Sequence, residues 1–406
     1  MKGSAEAEIR GRIARDGRMT FADFMELALY HPLGGYYSRP SVDPHADYYT
    51  SPAAHPAFGA LIAVQLWGMW AALDRPSRFH VLEVGAGSGL LGRDIVRYAS
   101  HLPPAFLASL SYVALDRRPA RRESAEQVHQ VQATGLPFRG VVGCVLSNEL
   151  VDSFPVHRFE IRGGEPREVY VSVDDGRYVE VLDEPSTPLI ARRLEGLAAL
   201  PAEGHRGEVS LELAPWAEAV AAALDRGFAI TIDYGHEADD LYSQERAQGT
   251  LQTFHRHTDG AGPYERIGTQ DITAHVDFSA LVAEGEAAGL RPLALTTQAL
   301  FLRGLGFDRW RQRLGAEGLT QQERDANRMG MLDLVRLEGL GGFKVLVQEK
   351  GTGITDADRL SPASDRELPL LLLGPDHLAL MEARYPHAAW DPEDLWPWRD
   401  EPPQSR

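Results

Sequence analysis

The chain has 406 residues, 44% of them hydrophobic, with 58 acidic against 41 basic side chains and a net charge of −17. That length implies one elaborated domain or two, with an ordinary apolar content for a packed core. The acidic balance argues against nucleic acid, whose binding rests on cations at phosphates, and first of all reports solubility, although it also suits a cationic partner. No stretch reaches the roughly 18 apolar residues of a membrane span, and the start M-K-G-S-A-E-A-E-I-R has no apolar signal core, so a cytoplasmic protein without membrane insertion is expected.

Residues 4–31 read as two helices, the second opening at M-T-F-A-D-F with Thr20 as N-cap and Asp23 as the acid three residues on. H-P-L-G-G-Y-Y-S-R-P breaks it. A loop rich in Pro, Asp, Tyr and Ser (41–56) then leads to an apolar helix over 58–73. Such a loop ahead of a nucleotide turn is either a lid or a surface connector, and its lid candidates are Tyr36, Tyr37, Thr50, Ser51 and Pro52.

Next comes F-H-V-L-E-V-G-A-G-S-G-L-L-G-R-D (79–94), a buried strand, a three-glycine turn and a helix over 90–99. A second strand ends at Asp116, the basic segment R-R-P-A-R-R-E opens a helix whose arginines suit a solvated face better than phosphate recognition, and a further strand spans 140–147 around the single cysteine, Cys144. One cysteine excludes an internal disulfide and a multi-cysteine metal site. Strands alternating with helices imply a mainly parallel, doubly wound sheet.

Residues 156–183 read as three short strands with Gly-Gly-Glu-Pro and Asp-Asp-Gly-Arg turns, a β-meander inserted into the sheet domain. A small helix near 187–200, a helix over 214–223 and a core strand ending at Asp233 follow. The polar connection 236–275 is long enough to suggest function. A helix (278–288), a strand (291–298), a helical region (299–337) and a last strand, F-K-V-L-V-Q-E-K, complete the core. The expected domains are therefore N-terminal helices and lid loop (1–75), a core (76–350, with the insert at 156–204) and a C-terminal extension (351–406) packed partly through its tryptophans.

The glycine turn admits two ligands. Gly87-Ser88-Gly89-Leu90-Leu91-Gly92 satisfies the dinucleotide pattern G-x-G-x-x-G, but Gly85 already begins the turn. The ribose acid of that pattern belongs about 20 residues on, whereas Asp116 lies 29 residues after Gly87. The other register, E-V-G-A-G-S-G with Asp116 closing the next strand, is the pattern of class I S-adenosylmethionine-dependent methyltransferases and is preferred.

The motifs H-P-L-G-G-Y-Y, D-Y-Y-T-S-P-A-A-H-P-A-F-G, L-E-V-G-A-G-S-G-L-L-G-R-D, S-N-E-L-V-D-S-F-P-V-H-R-F, I-D-Y-G, G-T-L and Q-D-I-T-A-H-V-D-F occur in this order between residues 21 and 350. Together they resemble the MidA-like methyltransferase family. The resemblance implies a Rossmann-like class I fold, S-adenosylmethionine as cofactor and, from the family's mitochondrial members, dimethylation of an arginine on a respiratory complex I subunit. By position it makes Glu83, Gly85, Ala86, Gly87 and Gly89 the cofactor loop and Asp116 the ribose acid, with Asn148 and Glu149 facing the methionine end and the acceptor. The chain departs from the family in carrying Ala53 and Ala60 where glutamates are usual, which leaves open a small molecule or other nucleophile as acceptor in place of a protein. A third reading is an assembly chaperone that binds the cofactor without turnover.

Methyl transfer is an in-line displacement governed by positioning, and carboxylates can orient a guanidinium bidentately. Glu149 and Asp152 stand three apart in N-E-L-V-D; on a helix they would share a face at the C-terminal edge of the sheet, and they are the catalytic candidates, although Asp152 equally suits anchoring the next turn. Asp233 and His275 are candidates for substrate contact, His275 equally for hydrogen bonds that anchor its loop, and Asp277 for the N-cap of the helix at 278. His255 and His257 form H-R-H without further ligand spacing, so no metal is expected.

Overall fold

The computed structural model describes residues 4–39, 49–118, 127–255, 258–259, 262–316, 318–360 and 368–377, with the side chains of 258–259, 316 and 358–359 left aside. Helices α1 (Ala5–Asp16) and α2 (Phe21–Tyr30) flank the short strand β1 (Met19–Thr20). Thr20 caps α2 as its sequence suggests: its hydroxyl accepts from the Asp23 N–H at 3.1 Å. A single turn, α3 (Ser51–Ala54), precedes α4 (Ala57–Ala72). Thirteen of the sixteen residues of α4 are buried, which suits a helix apolar all round and places it inside the main core.

Strand β2 (Phe79–Val84), helix α5 (Leu90–Ala99), β3 (Leu110–Asp116), β4 (Val128–Gln132) and β5 (Val141–Asn148) form the first half of the large sheet. Strand β4 is absent from the sequence reading because V-H-Q-V-Q is an edge strand with mostly exposed side chains and no apolar run. The basic helix expected at 117–123 falls largely outside the described residues.

The inserted meander is present as β6 (His157–Arg162), β7 (Glu165–Asp174) and β8 (Arg177–Asp183). Two-residue turns join them, at Gly163-Gly164 and Asp175-Gly176, with positive φ at both positions as a twisted hairpin requires. Strand β9 (Arg206–Val209) pairs with β6, and β1 pairs with β7, so the insert is a five-stranded antiparallel sheet that shares its core with α1 and α2.

Helix α6 (Leu213–Ala223), β10 (Leu224–Asp233), α7 (Phe278–Ala287), β11 (Arg291–Thr297) and β12 (Lys344–Lys350) close the chain's second half. The large sheet runs in the order β11-β12-β10-β5-β2-β3-β4, with only β12 antiparallel to its neighbours. The chain winds outward from β2 through β3 to β4, then returns to β5 on the other side. That reversal opens a crevice at the C-terminal ends of β2 and β5, where doubly wound folds bind ligands.

The connection 236–275 is not the structureless loop its polarity suggests. Gln252–His255 pairs with Asp271–Thr273, and Gly235-His236 pairs with Val276-Asp277. Buried Glu208 fixes it further by accepting from the Thr250 N–H at 2.8 Å. The helical region after β11 divides into three helices, Gln298–Gly304, Phe307–Arg313 and Gln321–Asp333. The C-terminal segment 368–377 packs on the core through Leu371, and His377 meets Asp94 at 3.0 Å; the tryptophans expected to anchor this extension lie outside the described residues.

Candidate functional site

A cavity of about 350 Å³ lies in that crevice, bordered by the ends of β2, β3 and β5 and by the segment after β4. Its floor is the turn after β2. Gly85, Gly87 and Gly89 have φ of +76, +54 and +74°, a run that side chains with a Cβ resist. The N–H groups of Gly85 and Ala86 donate to the Leu115 carbonyl at 2.9 and 3.0 Å, so the turn is pinned to β3. Asp116 pins it again: Oδ2 accepts from the Gly87 N–H at 2.9 Å and Oδ1 from the Arg118 N–H at 2.9 Å.

Glu83 borders the cavity, but its carboxylate is engaged behind the turn. It is 4% exposed, and Oε2 accepts from the Tyr112 hydroxyl at 2.8 Å. Burial pushes its carboxyl up to about 8, against the lowering effect of the Tyr112 and Gly92 hydrogen bonds. Glu83 thus joins β2, β3 and the first turn of α5.

At the other wall, β5 ends in a strained turn. Glu149 has φ +50°, a left-handed conformation that costs a non-glycine residue about 1–2 kcal/mol. Asp233, at the end of neighbouring β10, maintains it: Oδ2 accepts from the N–H groups of Leu150, Val151 and Asp152 at 3.1, 2.9 and 3.3 Å, and Oδ1 from Tyr234 N–H at 3.0 Å. Burial, then the nearby Asp152 and Glu149, push the Asp233 carboxyl up, and these N–H groups oppose the shift. Asp233 is fully buried and outside the cavity lining, so the expected substrate contact is replaced by an anchoring role.

The turn aims Glu149 at the cavity, where Oε1 accepts from Asn148 Nδ2 at 2.9 Å and, at a longer 3.4 Å, from the Ser51 N–H. Burial first, and Asp152 second, push its carboxyl up to about 8. Two buried oxygens of residues that border this cavity, Asn148 Oδ1 and Thr50 Oγ1, have no hydrogen-bond partner among the described residues. Orphaned buried acceptors of this kind fit a ligand that brings its own N–H donors.

The expected helical face shared by Glu149 and Asp152 does not exist: the left-handed Glu149 precedes a 3-10 turn at Val151–Ser153. Asp152 is buried outside the cavity lining and hydrogen-bonded to the Tyr234 side chain, with its carboxyl at about 6 through burial. Among the lid candidates, Tyr37, Thr50 and Pro52 border the cavity. Tyr36 does not: it is fully buried in the apolar core under α2. Ser51 contributes its N–H, and its hydroxyl donates to Gln298 at 3.0 Å. The lid loop's residues 40–48 lie outside the described residues.

His275 also lies away from the cavity. Its Nδ1 meets His236 Nε2 at 3.1 Å, its ring packs edge-on to Tyr234, and burial pushes its pKa down to about 4. Asp277 is the N-cap of α7, accepting from Ala280 N–H at 2.8 Å. His255 is tied to the Thr269 carbonyl, and His257 lies outside the described residues. Ala53 and Ala60 are buried and border no part of the cavity.

Several cavity residues escaped the sequence reading. Thr134, Gly135 and Leu136 follow β4, and were missed with it. Glu26 and Tyr30 come from the outer turns of α2, and Glu212 and Trp216 from the start of α6, where helical periodicity marks only solvent-facing positions. The strand order, the pinned glycine turn and the acid after β3 together define a class I methyltransferase that uses S-adenosylmethionine.

A sequence profile of the S-adenosyl-L-methionine-dependent methyltransferase family matches residues 61–296, more than half of the chain, and the chain belongs to that family. It is 28% identical over 338 residues to the mitochondrial protein arginine methyltransferase NDUFAF7 of Rattus norvegicus, covering 73% of each chain. The homologue from Drosophila melanogaster is 26% identical over 356 residues, 79% of each. A crystal structure from Burkholderia thailandensis with S-adenosyl-homocysteine bound superposes with a TM-score of 0.74 at 28% identity, covering 87% of this chain and 94% of that one. The curated relatives are mitochondrial, which overturns the expectation of a cytoplasmic protein. No helix among the described residues is long and apolar enough to cross a membrane.

Proposed function

We propose that this methyltransferase modifies an arginine side chain of a protein, with Glu149 orienting the guanidinium. The observation that carries this reading is the wall of acceptors formed by the Glu149 carboxylate with Asn148 Oδ1 and the Thr50 hydroxyl, both without a partner among the described residues. A guanidinium is donor-only and planar, so it matches such a wall with several N–H groups at once. The names of the curated relatives, protein arginine methyltransferases, agree with it.

In this reading Gly85, Ala86, Gly87 and Gly89 let the main chain approach the cofactor closely, and the remaining lone pairs of Asp116 accept the ribose hydroxyls. Bound there, S-adenosylmethionine supplies an electrophilic methyl group on a sulfonium. The chain's own residues do the rest. Asp233 holds the Glu149 turn rigid, so the acceptor nitrogen is presented without reorganisation at the moment of reaction. A guanidinium nitrogen that gains a methyl group must shed an N–H proton, and Glu149 is the carboxylate placed to receive it. Asp152 acts through Glu149: its charge behind the turn helps keep the Glu149 carboxyl basic.

The test is transfer of labelled methyl groups from S-adenosylmethionine into a cognate lysate, followed by mass spectrometry. Label on arginine side chains of a protein is expected. Label confined to small molecules, or tight cofactor binding with no labelled acceptor in any fraction, overturns the arginine assignment.

A further inference from the structure

Beside the Glu149 turn the same cavity has an aromatic and acidic face. Tyr30 stacks on Tyr37 with ring centroids 5.5 Å apart and an interplanar angle of 20°, and its hydroxyl donates to the Ser153 carbonyl at 2.9 Å. The ring is therefore fixed beside the Glu149 turn, with Tyr30, Tyr37 and Ser153 all bordering the cavity. Over its face lies the guanidinium of Arg117, 4.1 Å from the ring centroid, with Nη1 4.0 Å from Glu26 Oε1. Burial pushes the Glu26 carboxyl up, Arg117 opposes the shift, and neighbouring Glu212 adds to it.

This face already carries a planar cation, but holds it loosely. The guanidinium meets one carboxylate at a long contact, Glu212 stands near that carboxylate, and the side chains of Arg117 and Glu26 are 43% and 50% exposed. Ion pairs that open contribute little, so a competing cation displaces Arg117 easily. The Thr50 hydroxyl, 7% exposed and with no partner among the described residues, belongs to a residue that borders the same cavity. A net charge of −17 adds long-range attraction for a basic partner.

We propose that Tyr30, Glu26 and Glu212 form a second cation subsite, which takes a basic side chain neighbouring the acceptor arginine in the substrate protein; this rests on the arginine reading above. Arg117 is its internal competitor, standing in for that side chain and yielding to it. The enzyme then selects arginines by a second cation close by, rather than by the guanidinium alone.

The experiment uses the full chain loaded with S-adenosyl-homocysteine, and two synthetic peptides: one with a single arginine, and one with a second arginine at varied spacing. Calorimetry on this complex reads binding, and methyl transfer by the same chain supplied with S-adenosylmethionine instead reads the ratio of kcat/KM between the peptides. The two-arginine peptide is expected to be favoured about tenfold, the scale of one cation–π contact with one half-buried ion pair. Glu26→Gln with Glu212→Gln brings that ratio towards one, Tyr30→Ala does the same, and Arg117→Ala raises it. An equal response to both peptides, or a ratio unmoved by the paired glutamine variant, overturns the subsite. If neither peptide is methylated, the acceptor assignment fails while binding still decides the subsite: preference for the two-arginine peptide that is lost in the glutamine variant upholds it, and its absence ends it.

Discussion

The carboxylate of Asp116 accepts a hydrogen bond from the Gly87 N–H at 2.9 Å, joining two turns that are 29 residues apart in the chain. The acid at the end of β3 thus shapes the glycine turn as well as offering lone pairs to the cavity. Asp116→Ala removes both contributions, and Asp116→Asn keeps an acceptor oxygen but loses the charge. We expect cofactor affinity to fall about 100-fold for alanine and about tenfold for asparagine, the range for charge-assisted hydrogen bonds. Calorimetric titration with S-adenosylmethionine measures this. A dissociation constant unchanged by alanine would remove Asp116 from the site.

Glu83 makes a different prediction, about stability. Its carboxyl rises from 4.5 to about 8 on folding, through burial. The folded chain therefore keeps a proton that the unfolded chain releases. The stability this supplies is complete below about pH 4.5 and is lost as pH rises through about 8, a loss of order a few kcal/mol. Glu149 (about 8) and Asp152 (about 6) act with the same sign. Chemical denaturation between pH 5 and 9 should show unfolding free energy declining with pH, and Glu83→Gln should flatten the slope. A slope identical to that of the parent chain would assign the decline elsewhere.

Asp233 anchors the strained turn that carries Glu149. Replacing it with alanine strips the N–H groups of Leu150, Val151 and Asp152 of their shared acceptor. A buried donor left without its acceptor costs about 1–3 kcal/mol. Asp233→Asn retains one acceptor oxygen and should cost less than half of that. In both variants methyl transfer should fall more than cofactor binding, because the turn carrying Glu149 relaxes while the glycine turn stays pinned by Leu115 and Asp116. Equal losses of transfer and cofactor affinity would mean that the two walls of the cavity are not independent.

The parts of this fold that were legible in the sequence are those with local signals. The glycine turn is framed by an apolar strand and an amphipathic helix, and the predicted helix over 90–99 is the observed α5. The meander declared itself through Gly163-Gly164 and Asp175-Gly176. Strand β4 did not, since an edge strand gains its order from its neighbour rather than from its own apolar pattern. At the site, types of residue were readable but directions were not. Asp152 and Asp233 look like reactive acids in a string of letters; only the left-handed turn at Glu149 and the backbone donors around Asp233 show that one carboxylate faces the cavity while the others hold it there. Glu26 and Tyr30 reach the cavity because α2 is docked on the inserted sheet, a contact between distant segments that no local pattern encodes.

The raised carboxyl of Glu149 predicts how methyl transfer depends on pH. An arginine acceptor stays protonated throughout the accessible range, with a pKa above about 12, so the acceptor itself does not titrate. Glu149 does, at about 8 in the free enzyme. Only its ionised form both attracts a guanidinium and accepts a proton. Accordingly kcat/KM, which reports the free enzyme, should rise with pH through a single ionisation near 8 and level off above it. Once the cation is bound, its charge favours the carboxylate, so the midpoint in kcat should lie below that in kcat/KM. Glu149→Gln should abolish this rise and lower the plateau rate by about 10²–10⁴-fold, with S-adenosyl-homocysteine still bound. Glu149→Asp, which keeps the charge at shorter reach, should retain the rise at a reduced rate. A rise that survives unchanged in the glutamine variant would move the ionisation, and with it the proton acceptor, to another residue of the cavity.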